Sequence, residues 1–332
     1  MAMIEVKDLR KEYRVNRKKE GLKGAVLSLF HPQYETIIAV NNINFNIDAG
    51  EMVGYIGANG AGKSTTIKML TGVLTPTSGS LTVNGLIPYK NRVKNNLGIG
   101  AVFGQRTQLW WDIPVIESFK LIGKMYEMPK EDFRRNLTIY SELLDLKNLL
   151  GIPVRQLSLG QKMRCEIAAA FLHNPAIVYL DEPTIGLDIT VKDKIRHFIK
   201  TLNRTRLTTV ILTTHDLQDI EEICNRIIII DNGRIAYDGS LTEIRTQFGK
   251  QRAIKFKVKN ISENLFPVLA AQKEYLTLIF HDNYEIDIEF NRQLITASGI
   301  MDIVSKYCEV LDMSIKEPSV ESIVRELYQK RG

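Results

Sequence analysis

Residues Glu51–Leu70, EMVGYIGANGAGKSTTIKML, place a short apolar run, a glycine-rich turn and a helical pattern in immediate succession. Within them Gly57-Ala58-Asn59-Gly60-Ala61-Gly62-Lys63-Ser64 keeps the spacing G-x-x-x-x-G-K-[ST] of a phosphate-binding loop. Glycines suit that task because backbone N–H groups can wrap phosphate oxygens only where no Cβ intervenes. The spacing predicts the phosphates of a nucleotide as the ligand of Gly57, Asn59, Gly60, Ala61 and Gly62. Lys63 is expected on the β- and γ-phosphates, Ser64 on Mg2+ and Thr65 on the α-phosphate.

Outward from this loop, short apolar runs alternate with longer helical patterns from about Met3 to Phe248. Strands are expected at Met3–Val6, Ile43–Ile47, Met52–Ile56, Ile177–Leu180, Val210–Leu212 and Ile227–Ile230, and helices at Lys63–Gly72, Gln161–Leu172, Val191–Thr205 and Asp216–Cys224. The order predicts an α/β domain around a parallel sheet. Ile227–Asp231 and Arg234–Asp238, separated by Asn232-Gly233, read as a two-residue hairpin. From about Gln251 the pattern changes to strands Ala253–Val258, Tyr275–His281, Tyr284–Phe290 and Val310–Lys316, with a helix at Ile300–Tyr307 and a Ser-capped terminal helix. The expected division is therefore a first domain over 1–248, with an extended loop at 14–37, and a small α+β domain over 249–332.

Composition excludes several classes. The 332 residues carry a net charge of +6 with no long basic run, so nucleic acid is neither demanded nor expected as a partner. Cys165, Cys224 and Cys308 are scattered, without a CxxC pair, and fit a reducing compartment better than a disulfide framework or a zinc site. No stretch reaches the ~18 consecutive apolar residues of a membrane span, and MAMIEVKDLRKEY lacks a signal-peptide core. A transport role would require a pore from another chain.

Two further segments carry chemistry. Asp181-Glu182 ends the apolar run Ile177–Leu180, where an α/β sheet delivers side chains to ligand. Asp181 suits Mg2+, and Glu182 suits the attacking water. Leu157-Ser158-Leu159-Gly160-Gln161 is a second glycine turn running into a helix, and such a start leaves N–H groups for an anion.

Taken in order, these segments resemble the ATP-binding subunits of ABC transporters over roughly residues 1–248. The phosphate loop is followed by Gln105 in VFGQRTQLWWD, the signature Leu157–Gln161, the pair Asp181-Glu182, the loop Ile185-Gly186-Leu187-Asp188 and His215 in TTHD. The resemblance implies a P-loop ATPase with a partly antiparallel N-terminal sheet and a helical signature subdomain. It implies a head-to-tail dimer, probed by Ser158, Gly160, Gln161 and Asp188 of one copy against ATP on the other. Gln105 would contact Mg2+ and water, His215 the γ-phosphate, and Tyr13 the adenine. The implied partners are a second, identical ATPase subunit and a separate multi-span permease, and the implied place is the cytoplasmic side of the membrane. Leu159 stands where the family has glycine and Ala58 where proline or serine is commoner, but both keep the backbone N–H.

Trp110 and Trp111 are expected in a core; a pocket for a helix of the permease is the alternative. In residues 14–37, GLKGAVLSLF after Arg17-Lys18-Lys19 reads either as a lengthened loop or as an amphipathic element at the membrane face. This extension and the short tail resemble the drug- and polymer-exporter branch. An importer subunit, or a soluble ATPase acting on ribosomes or nucleic acid, is the rival reading.

Overall fold

The structure, a computed structural model, describes residues 2–16, 34–104, 107–249 and 251–329. Gln105 and the stretch 17–33, with its expected amphipathic element, lie outside the described residues.

The chain divides into two compact units, Met1–Gly239 and Ser240–Gly332. The first runs β1 (Ala2–Asn16), β2 (Tyr34–Asp48), β3 (Met52–Gly57), α1 (Lys63–Leu70), β4 (Ser78–Val83), α2 (Arg92–Leu97) and β5 (Ile99–Phe103). It continues with α3 (Val115–Met125), α4 (Lys130–Leu143), α5 (Leu159–Phe171), β6 (Ile177–Asp181), α6 (Ile189–Arg206), β7 (Thr209–Thr213), α7 (Leu217–Ile223), β8 (Arg226–Asp231) and β9 (Arg234–Ser240).

Six strands form one sheet in the order β5-β6-β7-β3-β8-β9. The neighbours from β5 to β8 run parallel, as their near-continuous apolar sequences require for strands covered on both faces. Ile227–Ile230 are all fully buried. Asn232 and Gly233 both take positive φ, 46° and 74°, the backbone of a tight hairpin between β8 and β9.

β1 and β2 do not join this sheet. They pair antiparallel with each other, and β1 pairs with β4, giving the order β2-β1-β4. Their ladder reaches Asn16↔Tyr34, so both described ends of the extension expected at 14–37 are strand. Ile4, Val6, Leu9, Val40, Ile43, Phe45 and Ile47 pack with Val53, Tyr55 and Ile67 into one core under the phosphate loop.

The second unit contains α8 (Leu241–Phe248), β10 (Gln251–Lys259), α9 (Leu265–Ala271), β11 (Leu276–His281), β12 (Glu285–Asn291), α10 (Ala297–Val304), β13 (Glu309–Lys316) and α11 (Val320–Gln329). Its four strands are antiparallel in the order β11-β12-β10-β13. Alternation does the work here: Ile254, Phe256 and Val258 of β10 and Ile286, Ile288 and Phe290 of β12 face Leu265, Leu269, Ile300 and Val304. The unit begins at Ser240, upstream of the boundary expected after Phe248, because α8 packs against α11. A capping box closes the start of α8: Ser240 Oγ accepts from Glu243 N, and Glu243 Oε2 accepts from Ser240 N.

Candidate functional site

The loop between β3 and α1 holds the site. Gly60 and Gly62 sit at φ 83° and 109°, a region costly for residues with a Cβ. A Cβ on Gly62 would stand 2.5 Å from Ala39 O, whereas one on Gly60 would meet nothing within 4 Å. One glycine serves close approach of the backbone, the other only the turn. No side chain caps the start of α1, so its first N–H groups are left for an anion.

An open cleft of about 490 Å³ lies over this helix start, lined by Asn59, Gly60, Lys63, Ser64, Thr65, Asp181, Glu182, Ile185 and His215. Lys63 Nζ donates to Gly57 O at 2.5 Å and Ala58 O at 3.1 Å. Burial lowers its pKa, and the carboxylates of Glu182 and Asp181 oppose that shift. A phosphate in the cleft would offer this buried ammonium a formal charge in place of two carbonyl dipoles.

Parallel pairing of β6 with β7 sets Asp181 beside Thr213, and the Thr213 hydroxyl donates to Asp181 Oδ1. Just past the two strand ends, His215 Nε2 lies 3.2 Å from Glu182 Oε1. Glu182 takes φ 55°, held there by its N–H to Thr213 O at 2.9 Å. Burial raises the Glu182 pKa above the ordinary carboxylate value; Asp181 adds to this, while His215 and Lys63 act against it. A carboxylate poised this way takes a proton from water more readily than an exposed one. The Ser64 hydroxyl and the Asp181 carboxylate are hard oxygen donors on the wall of the same cleft, which fits Mg2+.

The second turn lies elsewhere: Ser158–Gln161 do not line this cleft. Nor are its N–H groups all open, as the sequence suggested. Ser158 Oγ accepts from Gln161 N at 3.3 Å and Gln161 Oε1 accepts from Ser158 N at 2.9 Å, a capping box that leaves Leu159 and Gly160 as donors. Leu159 is 54 % exposed beside Gly186, and Ile185 and Ile189 are exposed as well. Asp188 caps α6, its Oδ1 accepting from Val191 N at 2.9 Å. Tyr13, partly exposed on β1, is outside the cleft, with the Lys11 ammonium 5.3 Å from its ring centre.

Trp110 and Trp111 correct an expectation. They are 40 % and 53 % exposed, not core, because the buried residue of that segment is Leu109. Sequence reasoning also missed Glu166. This buried residue of α5 accepts from Gln108 N at 3.1 Å and from the Thr107 hydroxyl, while the Gln108 side chain donates to Glu166 O at 2.9 Å. It ties the segment after residue 106 to the signature helix. A charged residue amid Cys165, Ile167 and three alanines was the available signal.

A strand–glycine loop–helix feeding a parallel sheet, with lysine and paired acids in one cleft, defines a P-loop nucleotide-binding protein. Residues 40–185 match the family described as ABC transporter. Linearmycin resistance ATP-binding protein LnrL of Bacillus subtilis is 30% identical over 286 residues, covering 86% of this chain and 91% of that protein. ATP-binding cassette sub-family A member 9 of Homo sapiens is 30% identical over 303 residues, 89% of this chain, which spans only 18% of that longer protein. A dimeric post-hydrolysis state of an ATP-binding cassette bound to ADP and Pi superposes with a TM-score of 0.59 at 29% identity, covering 72% of this chain and 99% of the cassette. The chain belongs to the ABC transporter family, as one of its ATP-binding subunits, and carries the family's ATPase domain.

Proposed function

We propose that this chain energises export through a separate membrane-spanning permease, working as a head-to-tail pair in which ATP bound at one copy's cleft is closed over by the other copy's signature turn. The observation that carries this reading is the separation of the two anion-binding turns in one chain. The Lys63 cleft excludes Ser158–Gln161, and the surface around that second turn exposes Leu159, Ile185 and Ile189. Apolar side chains around a polar turn suit a partner surface.

In this reading the phosphate loop and Lys63 hold the triphosphate, and Tyr13 offers a ring to adenine. Ser64 and Asp181 would hold Mg2+, with Gln105 as a further candidate donor; the ion would supply charge neutralisation at the phosphate oxygens. Glu182 takes a proton as water attacks the γ-phosphorus and the bond to the β–γ bridging oxygen breaks. His215 steers Glu182 and meets the γ-phosphate. Ser158 and the Gly160 N–H close the site from the second copy, while Gln161 and Asp188 hold their turns in shape. Loss of the γ-phosphate then lets the copies separate.

The resistance function printed for the LnrL relative supports export. Among the described residues no helix is long and apolar enough to cross a membrane. In this reading the permease is another chain and this subunit a peripheral protein on the cytoplasmic face. Exposed Trp110 and Trp111 are the proposed permease contact. Glu182→Gln is the test. It is expected to bind ATP, lose about 100-fold or more of its hydrolysis rate, and form an ATP-dependent dimer on sedimentation. A variant that hydrolyses at the normal rate, or stays monomeric with ATP, overturns the reading.

A further inference from the structure

The sheet of the second unit ends on an edge that looks built for pairing. β13 is the last strand in the order β11-β12-β10-β13, so among the described residues it has a neighbour on one side only. From Asp312 to Lys316 it follows β10 in unbroken register, and the one irregularity is in β13 itself, where Leu311 is an extra residue between the partners of Lys257 and Val258. Such a regular edge presents a free row of N–H and C=O groups. The opposite edge, β11, is shorter and carries a bulge between Leu278 and Phe280.

Its side chains are unusual for a solvent-facing edge. Met313 pairs with Phe256 and Ile315 with Ile254, so both stand on the face of the sheet that bears the core. Yet they are 43 % and 42 % exposed, and Leu311 is 52 % exposed. Edge strands that stay solitary are blunted along their length; here the core-side row, Met313 and Ile315, is apolar. Asp312 and Lys316, on the opposite face, are both exposed.

We infer that β13 is a self-association surface, and that its occupant is β13 of a second copy, joined antiparallel across a two-fold axis at Ser314. The charges choose this register. With the axis at Ser314, Asp312 of each copy lies opposite Lys316 of the other and Met313 opposite Ile315, so two ion pairs flank a shared apolar row. Moving the axis to Met313 sets Asp312 opposite Ser314, and moving it to Ile315 sets Lys316 opposite Ser314, so neither register forms those ion pairs. A slip by one residue turns apolar side chains against the polar face. The joined sheets form one eight-stranded sheet with both cores on the same side, an isologous contact of the kind two-fold dimers use. A single strand pair is a small interface, so the dimer is weak, in the micromolar range. The contact needs no nucleotide, and so stands apart from the ATP-dependent dimer proposed above.

The test is sedimentation velocity on the full chain without nucleotide, across a concentration series. Wild type is expected to dimerise. Asp312→Lys and Lys316→Asp each set like charges opposite one another twice, and each should weaken the dimer about tenfold or more. The double variant Asp312→Lys/Lys316→Asp restores opposite charges and should recover the wild-type constant to within about threefold. Asp312 also lies opposite Lys257 within its own sheet, so Lys316→Asp, whose own-sheet partner is Ala253, separates loss of pairing from loss of folding. A monomeric wild type, equal constants for all variants, or a double variant no better than the singles overturns the inference. Glu182→Gln with ATP is a separate measurement, and its outcome bears on the ATP-dependent dimer alone.

Discussion

His215 Nε2 stands 3.2 Å from Glu182 Oε1, and the two side chains meet because β6 and β7 are parallel neighbours whose last residues, Asp181 and Thr213, are register partners. The imidazole thus opposes the effect of burial on the carboxylate that is the candidate base. Removing it lifts the Glu182 pKa further. His215→Ala should therefore move the acid limb of the residual ATPase rate to higher pH, read from kcat against pH. An unchanged limb would separate the two residues functionally.

The same shift has a consequence for stability. Folding raises the Glu182 pKa, so the folded chain binds this proton more readily than the unfolded one. Its contribution to stability is fully present below the unfolded value and falls as pH rises through the folded one. Glu182→Gln is free of that loss. Its Tm should exceed that of wild type at pH 8, with the gap narrowing toward pH 4.

Glycines of the phosphate loop should differ sharply. Gly60→Ala is strained only by its φ of 83° and is expected to cost about 1 kcal/mol. Gly62→Ala meets Ala39 O as well and should cost about 2–4 kcal/mol in urea denaturation, with ATP binding lost.

Asp219 is fully buried, accepts from Arg196 Nε at 2.7 Å and from the Thr184 hydroxyl, and its Oδ1 lies 2.6 Å from Arg196 Nη2 as an ion pair. Asp219→Ala strands the Arg196 guanidinium and should lower stability by about 3–5 kcal/mol. Thr184 lies close behind Glu182, so hydrolysis should fall as well, measured under conditions where the variant remains folded.

Glu166 anchors Thr107 and Gln108 to α5. Glu166→Ala removes the carboxylate that accepts from Gln108 N and the Thr107 hydroxyl, keeps the Gln108 side-chain bond to the backbone carbonyl, and should cost about 1–3 kcal/mol. Faster hydrogen exchange at Gln108 and Leu109, read by mass spectrometry, would report release of the segment.

Much of the fold was legible from local pattern. The apolar runs at Met52, Ile177, Val210 and Ile227 became strands, and the helices after Lys63 and Gln161 began within two residues of their expected starts. β4, β5, α2, α3, α4, α8 and α9 were missed; β5, with Gly100 inside Ile99–Phe103, is strand because it pairs with β6. Gly100 itself is required there, since a Cβ would run into the Ala170 carbonyl.

The sequence alone placed most of the elements around the phosphate loop and the loop itself, because burial period, turn residues and the glycine–lysine spacing are written in windows of a few residues. Tertiary structure alone decided which strands share a sheet, that Trp110 and Trp111 reach solvent, and that Glu182 meets His215. Those outcomes depend on long-range pairing and on desolvation by distant segments, and no local window contains either.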